Sequence, residues 1–241
     1  MNFHVITLFP EVIDAYTQAS ILGRAQREKF LKVKTYQLRD TAGNPDGKTK
    51  SSNGAGKWEY TRVDGRPYGG GPGMVLRAEP VIKAVTRIKS QVKRRLVTRD
   101  SGLKTIKVLV TAAGGKPFTN AYAKKLSKLK DVIIVCGRYE GIDARAIKAL
   151  KAEEVSVGPY ILTGGEVPAM AIIDATARQI KGVLGKFESL EESRVASHEI
   201  YTRPEVLKIK GKSYRVPEVL LSGHHANMDS WKSKNRSGQG I

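Results

Sequence analysis

Three glycine-bearing turns follow three apolar stretches in the middle of the chain. The turns read TAAGG (111–115), CGRYEG (136–141) and GPYILTGGE (158–166). The apolar stretches predict buried strands separated by helices, which is the pattern of a parallel α/β sheet. Ligands bind such sheets at the carboxyl ends of the strands, where glycine lets the backbone approach a ligand closely. We therefore expect one binding site built from three loops.

Two glycine clusters carry less information when each is taken alone. Gly164 and Gly165 precede a predicted helix, whose N-terminus offers free N–H donors, but the pair is more typical of a tight strand-to-helix turn. The segment YGGGPG (68–73) follows no clear strand and has the wrong spacing for a phosphate-binding loop. A dinucleotide-binding fold therefore has no support in the sequence.

The chain is strongly basic. Its 241 residues contain 42 Lys and Arg against 23 Asp and Glu, which gives a formal net charge of +19. Such a balance indicates a polyanionic partner, most often a nucleic acid. The basic residues are unevenly placed, since residues 152–177 contain neither Lys nor Arg. We therefore favour a nucleic acid as the partner over a basic composition that serves only solubility.

The sequence argues against a membrane protein, a disulfide scaffold and a metal site. No apolar run reaches the length of about 18 residues that a membrane span requires, and the N-terminus lacks the pattern of a signal peptide. Cys136 is the one cysteine, so no disulfide framework can form and a cytoplasmic protein is expected. His224 and His225 are adjacent and point apart, which disfavours metal binding.

The elements that must position the three turns follow from the apolar periodicity. Strands are predicted over 2–9, 31–38, 105–115, 131–137 and 154–158, and helices over 79–96, 119–130 and 167–182, with others after Pro10 and Gly141. The helix over 79–96 is amphipathic, with a basic outer surface. Residues 39–73 are predicted to form a long loop.

Six motifs occur in an order that is far more specific than any one of them. They are VDGRPYGGGPGMV, IVCGRYEGIDAR, SVGPYILTGGEVPAMAIIDATAR, GVLGK, YTRPEV and LLSGHH. Together they closely resemble the bacterial tRNA (guanine-N1)-methyltransferase family, known as TrmD. The resemblance covers nearly the whole chain.

This resemblance implies a SPOUT-type α/β fold, with a parallel sheet, a deep C-terminal trefoil knot and a small, mostly helical C-terminal domain. Residues 1–184 would form the knotted methyltransferase domain, 185–202 a linker and 203–241 a truncated, basic tRNA-binding domain. The resemblance further implies a homodimer that uses S-adenosylmethionine to methylate N1 of guanosine 37, 3′ of the anticodon. The partner would be the tRNA anticodon stem-loop. Mg²⁺ is a candidate second cofactor, held by the RNA and a carboxylate because no motif here forms a metal cage.

The family's cofactor site corresponds to the three turns. A sulfonium and an adenine require backbone donors, carbonyls and apolar walls, and a lysine beside the sulfonium would repel it. This accounts for the lack of basic residues in 152–177, as would a buried core. The resemblance implies cofactor contacts from Thr111, Ala112, Ala113, Gly137, Tyr139, Ser156, Val157, Gly158, Pro159, Tyr160, Ile161, Leu162, Gly164, Gly165 and Pro168. Ala113 and Pro159 stand where the family usually has proline and aspartate.

Three residues correspond to the family's catalytic groups. Glu140 matches a residue that contacts the target guanine, although a helix-capping role suits it equally well. Arg178 matches an arginine that stabilises negative charge on guanine O6 as N1 loses its proton. The family's general base is an aspartate before a serine in the linker. Here Glu192 precedes Ser193 and is assigned as the base, with Glu191 as the reserve; solvated linker acids are the simpler interpretation of both.

Two other functions stay open. The altered linker and the short C-terminal domain would also suit a knot-fold RNA-binding protein without catalytic activity. A knot-fold methyltransferase with a different RNA target, such as the ribose of ribosomal RNA, is the second alternative. The ordered motifs resemble one family only, which favours guanine methylation over both.

Overall fold

The computed structural model of the protein describes residues 1–42, 62–96, 106–184 and 199–234. The chain divides into two compact units, Met1–Val183 and Leu184–Ile241. No helix among the described residues has both the length and the apolar character needed to cross a bilayer.

The first unit alternates strands and helices. Its strands are β1 (Asn2–Thr7), β2 (Lys32–Gln37), β3 (Asp64–Gly65), β4 (Val75–Leu76), β5 (Ile106–Pro117), β6 (Asp131–Cys136) and β7 (Glu153–Ser156). Its helices are α1 (Pro10–Thr17), α2 (Ser20–Arg27), α3 (Ala78–Leu96), α4 (Asn120–Leu126), α5 (Ala144–Leu150) and α6 (Glu166–Arg178), with a 3-10 turn at Leu38–Thr41. The predicted α/β class is therefore confirmed.

Five strands form one parallel sheet in the order β2-β1-β6-β5-β7. Because all five strands point the same way, their carboxyl ends meet along one edge of the sheet. The strand order reverses within the sheet, and in open α/β sheets such reversals create ligand-binding crevices at the carboxyl edge. The first unit therefore offers its binding crevice where β1, β5, β6 and β7 end.

Helices cover both faces of the sheet. Side chains alternate along β6, whose Val132 and Ile134 pack in a core with residues of α1, α2, α4 and α6. Ile133 and Val135 pack in a second core with residues of α3 and α5. A strand that is buried on both faces reads as an uninterrupted apolar run, which is why DVIIVC was recognisable in the sequence.

A buried ionic cluster anchors the amino-terminal end of the sheet. Asp131 is fully buried and accepts hydrogen bonds from His4 (3.0 Å) and Arg95 (2.6 and 2.7 Å). Burial alone would raise the pKa of Asp131, but the bonds from His4 and Arg95 outweigh it and hold the pKa below its usual value. His4 also contacts the hydroxyl of Tyr36 at 3.0 Å. These polar groups are thus satisfied within the fold, far from the carboxyl edge.

The second unit contains strands as well as helices. Its elements are β8 (Val206–Ile209), β9 (Lys212–Arg215), α7 (Glu218–Leu221) and α8 (His225–Lys234). The two strands pair as an antiparallel hairpin that turns at Lys210 and Gly211, both of which have positive φ. The family resemblance implied a small, mostly helical domain here, and the hairpin stands beside the two helices without having been expected. Its strands are four residues each, too short for a clear alternation signal.

The segment predicted as a long loop also contains paired backbone. Asp64–Gly65 and Val75–Leu76 form a two-stranded antiparallel ladder. Residues 43–61 of that segment lie outside the described residues. The ladder matters for the site because β4 lies against the turn after β6, where the Leu76 N–H donates to Gly141 O (3.0 Å).

Candidate active site

A cavity of about 400 Å³ lies at the carboxyl ends of β5, β6 and β7. This volume falls within the range of about 300–1,000 Å³ that is typical of small-molecule sites. Its lining comes from three loops, and consists of residues 110–114, 137–142, 154–158 and 160–165 with Pro168. The three glycine-bearing turns therefore meet at one cavity.

Fourteen of the fifteen residues that the sequence assigns to cofactor contact line this cavity. The exception is Pro159, which lies between the lining residues Gly158 and Tyr160 but is not one of them. Glu140 also lines the cavity, whereas Arg178 does not. Glu191, Glu192 and Ser193 lie outside the described residues.

The first loop is an interruption of β5. Pairing with β7 runs to Thr111, breaks, and resumes at Lys116, so that residues 112–115 leave the ladder. Gly115 permits this path, because a Cβ there would come within 2.5 Å of Val155 N. The bulge turns the backbone of Ala112 and Ala113 toward the cavity.

The three loops are joined at a buried glycine. The Gly165 N–H donates to Gly137 O (2.7 Å), and the Gly137 N–H donates to Thr111 Oγ1 (3.1 Å). A Cβ on Gly165 would overlap Thr111 Oγ1 and come within 2.6 Å of Gly137 N. The φ of Gly165 is −83°, which any residue can adopt, so glycine is not needed here for its conformation. It is needed because there is no room for a side chain.

Arg138 ties the second and third loops to the end of β1. Its Nη1 donates to Thr163 O (3.3 Å), and its Nη2 forms an ion pair with Glu166 Oε2 (2.9 Å). The guanidinium lies 4.4 Å from the centroid of the Phe9 ring. Glu166 is 3% exposed, and its Oε1 accepts a hydrogen bond from the Thr7 hydroxyl (2.6 Å). We call these three residues, Thr7, Arg138 and Glu166, the loop clamp.

The loop clamp also sets the charge of the cavity. Arg138 is the basic side chain among the described residues that line it, and its charge is balanced by Glu166. Glu140 and Glu154 are lining carboxylates. A cationic ligand would therefore meet carboxylates here rather than an unbalanced cation.

Cys136 ends β6 directly behind the cavity. Burial, and then the negative charge of Glu166, raise the pKa of the Cys136 thiol well above its ordinary value. A thiol in this state is a poor nucleophile, since the thiolate is the reactive form. Cys136 is therefore a core residue and not a reacting group.

Glu140 is held by the glycine-rich turn that precedes β4. The Glu140 N–H donates to Met74 O (3.0 Å), and the carboxylate lies where a Cβ on Gly73 would be, 2.6 Å from Oε1. Gly73 has a φ of +96°, so both its conformation and its lack of a side chain are needed.

The sequence alone gave little weight to YGGGPG and did not point to Arg138 or Glu166 as site residues. The feature of the sequence that could have identified Arg138 and Glu166 is that each lies in a motif that also contains cofactor-site residues.

Tyr139 forms the wall beside Glu140. Its φ is +60°, and its backbone bridges to Val75. Burial and then the neighbouring Asp64 raise the pKa of the Tyr139 hydroxyl, which therefore stays protonated near neutral pH. Asp64 thereby connects β3 to the second loop.

Arg178 lies at the other end of α6 from the cavity. The helix begins with Glu166 in the loop clamp and ends at Arg178, about 18 Å away at 1.5 Å per residue. Within a single chain, Arg178 therefore lies far from the part of the cavity that Glu140 lines.

The described residues contain no group of three or more His, Cys, Asp or Glu side chains arranged to hold a metal ion.

A family model described as tRNA (Guanine-1)-methyltransferase TrmD matches residues 1–240. The chain belongs to the TrmD family. Its curated relatives include proteins named tRNA (guanine-N(1)-)-methyltransferase. The one from Desulforamulus reducens is 38% identical, over 97% of this chain and 83% of that protein. Those from Nitrosomonas europaea and Clostridioides difficile are 38% and 35% identical, over 99% and 96% of this chain and 81% and 90% of theirs.

Membership of the TrmD family agrees with the placement of the motifs on the fold. CGRYEG and GPYILTGGE supply the second and third loops of the cavity. VDGRPYGGGPGMV supplies β3, the first residue of β4 and the turn that holds Glu140. These three motifs are thus concentrated at the carboxyl edge of the sheet, whereas YTRPEV and LLSGHH belong to the second unit.

Proposed function

We propose that this protein transfers a methyl group from S-adenosylmethionine to N1 of guanosine 37 in tRNA. The match of the TrmD family over residues 1–240 carries this proposal, together with relatives named tRNA (guanine-N(1)-)-methyltransferase. The cavity is large enough to bind a small-molecule cofactor, and the excess of basic residues suits an RNA substrate.

The lining fits the proposed cofactor. Backbone N–H and C=O groups at glycine-bearing turns suit the amino acid and adenine groups, and Tyr160, Ile161 and Leu162 offer apolar walls. A Cβ on Gly158 would overlap the Tyr160 ring, so the turn is shaped to keep that ring in place. S-adenosylmethionine supplies an electrophilic methyl group on a positively charged sulfur. Glu140 and Glu154 are the carboxylates that line the cavity, and they would favour that charge.

The residues of the chain then have separate tasks. Glu140 accepts a hydrogen bond from the N–H edge of guanine and orients the base. Glu192 would take the N1 proton and leave N1 with an electron pair for the bond to the methyl carbon. The carbon–sulfur bond would break at the same time, and its electron pair would stay on sulfur, which leaves as a neutral thioether. Arg178 stabilises the negative charge that develops on O6. Burial of Glu192 on RNA binding would raise its pKa and make it a stronger base.

We further propose a homodimer, because the site of one chain is incomplete. Arg178 stands at the far end of α6 from its own cavity, so a second copy must bring its Arg178 to the guanine. Val12 and Tyr16 on α1 and Val167 on α6 are exposed apolar side chains on the same helix layer. The Tyr16 hydroxyl donates to Asp174, which ties the two helices together. Sedimentation at micromolar concentration should give twice the mass of the single chain, and a monomer would contradict the proposal.

The remaining family features stay proposals about this chain. They are a SPOUT-type trefoil knot within residues 1–184, a linker over 185–202, a basic tRNA-binding domain over 203–241 and a cytoplasmic location. The family match supports the knot, and an experimental structure traced from Thr111 to Arg178 tests the threading. Mg²⁺ is proposed to act through the RNA and a carboxylate, which omission of Mg²⁺ from the assay tests.

The direct test is transfer of labelled methyl from S-adenosylmethionine to an unmodified tRNA transcript. We expect transfer to a transcript with guanosine at position 37 and none when adenosine replaces it. Transfer to neither, with the cofactor still bound, would favour an RNA-binding protein without catalytic activity. Equal transfer to both would favour a methyltransferase with a different target.

Glu192→Gln should lower kcat by at least about 100-fold, because a general base contributes roughly 10²–10⁴ to the rate. The Kd for S-adenosylmethionine should stay within about twofold of wild type, because the cavity lining is unchanged. Single-turnover methylation and calorimetry measure the two quantities. Glu191→Gln is the matched control and should retain kcat. Turnover near wild type in Glu192→Gln, with loss in Glu191→Gln, would transfer the role to Glu191.

A further inference from the structure

The two helix layers of the first unit differ sharply in charge. Within their ranges, α1, α2, α4 and α6 carry five Lys or Arg and four Asp or Glu. On the other face, α3 and α5 with Asp143 and Lys151 carry nine Lys or Arg and two acids, Glu79 and Asp143. The basic excess is therefore concentrated on one side of the sheet.

Three of the nine cations have ionic partners. Lys83 pairs with Glu79 at 2.7 Å, Arg145 with Asp143 at 2.6 Å, and Arg95 with the buried Asp131 at 2.6 Å. The other six have no ion pair with any residue that the structure describes. They are Arg87, Lys89, Lys93, Arg94, Lys148 and Lys151, and we call them the α3–α5 basic face.

Like charges on this face are close enough to affect the pKa of a neighbouring lysine. Lys89 donates to Leu150 O (3.4 Å), which places it where α3 meets the end of α5. Burial and then the neighbouring charge of Lys93 lower the pKa of Lys89. An anion bound here would relieve this repulsion.

The face carries charge without exposed apolar surface. Among the side chains whose burial the structure describes, the exposed large hydrophobic ones of the first unit include none on α3 or α5. Protein interfaces have apolar or aromatic centres and are depleted in lysine, whereas nucleic-acid interfaces are polar and positively charged. The composition of the α3–α5 basic face is therefore that of a phosphate-binding surface.

The basic face leads away from the cavity. Just before α3, Leu76 of β4 donates to Gly141 O and accepts from the Asp143 N–H, so α3 begins beside the second loop. From there α3 runs 19 residues, about 28 Å, toward the amino-terminal edge of the sheet. Arg87 and Arg94 lie on its outer side, opposite the buried stripe of Val81, Val85, Ile88 and Val92. A polyanion with one nucleotide in the cavity would follow α3 past the neutralised pairs at its start to the unpaired cations from Arg87 onward.

We propose that the α3–α5 basic face binds the phosphates of the tRNA stem that adjoins the anticodon loop. This inference rests on the proposed function for its ligand. The contacts are to the backbone, so they contribute affinity and orientation and do not read the base sequence. They add an RNA-binding surface to the first unit itself.

The test compares two variants that remove three charges each. Arg87→Gln/Lys93→Gln/Arg94→Gln removes exposed cations of the basic face, and Lys124→Gln/Lys125→Gln/Lys128→Gln removes exposed cations near α4 on the opposite layer. Filter binding measures the Kd for the tRNA transcript at about 50 to 300 mM KCl. Each phosphate contact adds roughly 0.7–0.9 to the slope of log Kd against log salt, so the slope reports how many contacts are lost. Thermal melting confirms that both variants are folded.

We expect the basic-face variant to raise the Kd for tRNA by at least about tenfold at low salt and to reduce the slope by about 2. The α4 variant should change the Kd by no more than about twofold. kcat at saturating tRNA and the Kd for S-adenosylmethionine should be unchanged in both. Equal effects of the two variants, or no change in slope, would overturn the proposal.

Two further outcomes separate this proposal from others. Unchanged tRNA binding with weakened binding to vesicles of anionic lipid would assign the face to a membrane surface and overturn the proposal. If the wild-type protein methylates no tRNA but the variants still differ in tRNA affinity, the proposed function fails while the binding surface stands.

Discussion

Gly165→Ala should abolish measurable binding of S-adenosylmethionine while the protein stays folded. The added Cβ would overlap Thr111 Oγ1 and lie 2.6 Å from Gly137 N and 2.8 Å from Cys136 Cα. Two of these neighbours are backbone atoms of β6 and of the turn that follows it, so the third loop must move instead. Overpacking of this kind costs about 1–3 kcal/mol, against a total stability of about 5–15 kcal/mol.

The predicted loss of affinity is at least about 100-fold, because the move breaks the hydrogen bond from Gly165 to Gly137 O and separates two walls of the cavity. Calorimetry measures the affinity, and the melting temperature should fall by only a few degrees. Gly65→Ala is the matched control. Among the described residues its Cβ would meet only Arg77 Cγ, at 4.0 Å, and Gly65 does not line the cavity. Cofactor affinity within about threefold of wild type in Gly165→Ala would show that the loop junction is not needed for binding.

The central strands could be predicted because both of their faces are buried. The run DVIIVC is apolar after its first residue, and every position of it is buried in the fold. The two-residue strands β3 and β4 could not be predicted, since two residues carry no periodicity. For the same reason, the return of β5 to its ladder at Lys116, after four unpaired residues, had no signal in the sequence.

The backbone part of the site was easier to predict than its side-chain support. Glycine-bearing turns after apolar runs mark the places where strands end, so the three loops were assigned before the fold was known. The loop clamp joins residues that are far apart in the chain, since Thr7 and Glu166 are separated by 159 positions. No local pattern connects such residues, and a glutamate at a helix start is ordinarily explained by the helix dipole.

Glu166→Gln is the second change for which we expect a large effect. Glutamine keeps the size of the side chain and can still accept from the Thr7 hydroxyl. Its amide nitrogen, however, would face the Arg138 guanidinium, which leaves that cation without its partner. Removing one member of a buried ion pair costs about 3–5 kcal/mol. Because the Arg138 side chain is 24% exposed, water offsets part of the loss and we expect about 3 kcal/mol or less.

The loop clamp makes a functional prediction beyond stability. Arg138 also donates to Thr163 O, so an Arg138 without Glu166 holds the third loop less firmly. KM for S-adenosylmethionine should rise by about tenfold in Glu166→Gln, while kcat at saturating cofactor changes by no more than about threefold. Glu79→Gln is the matched control, because Glu79 pairs with Lys83 and Arg77 at the solvent-exposed surface, where ion pairs contribute little to stability.

A double-mutant cycle separates the clamp from general loss of stability. If Arg138 and Glu166 act as a pair, adding Arg138→Gln to Glu166→Gln should cost less free energy of unfolding than Arg138→Gln costs alone. Denaturant unfolding measures this coupling, and KM for the cofactor should show it too. If the effects of the two substitutions simply add in both measurements, then Glu166 acts only through its hydrogen bond from Thr7 and its position at the start of α6. The third loop would then be positioned by the Gly165–Gly137 hydrogen bond without help from the ion pair.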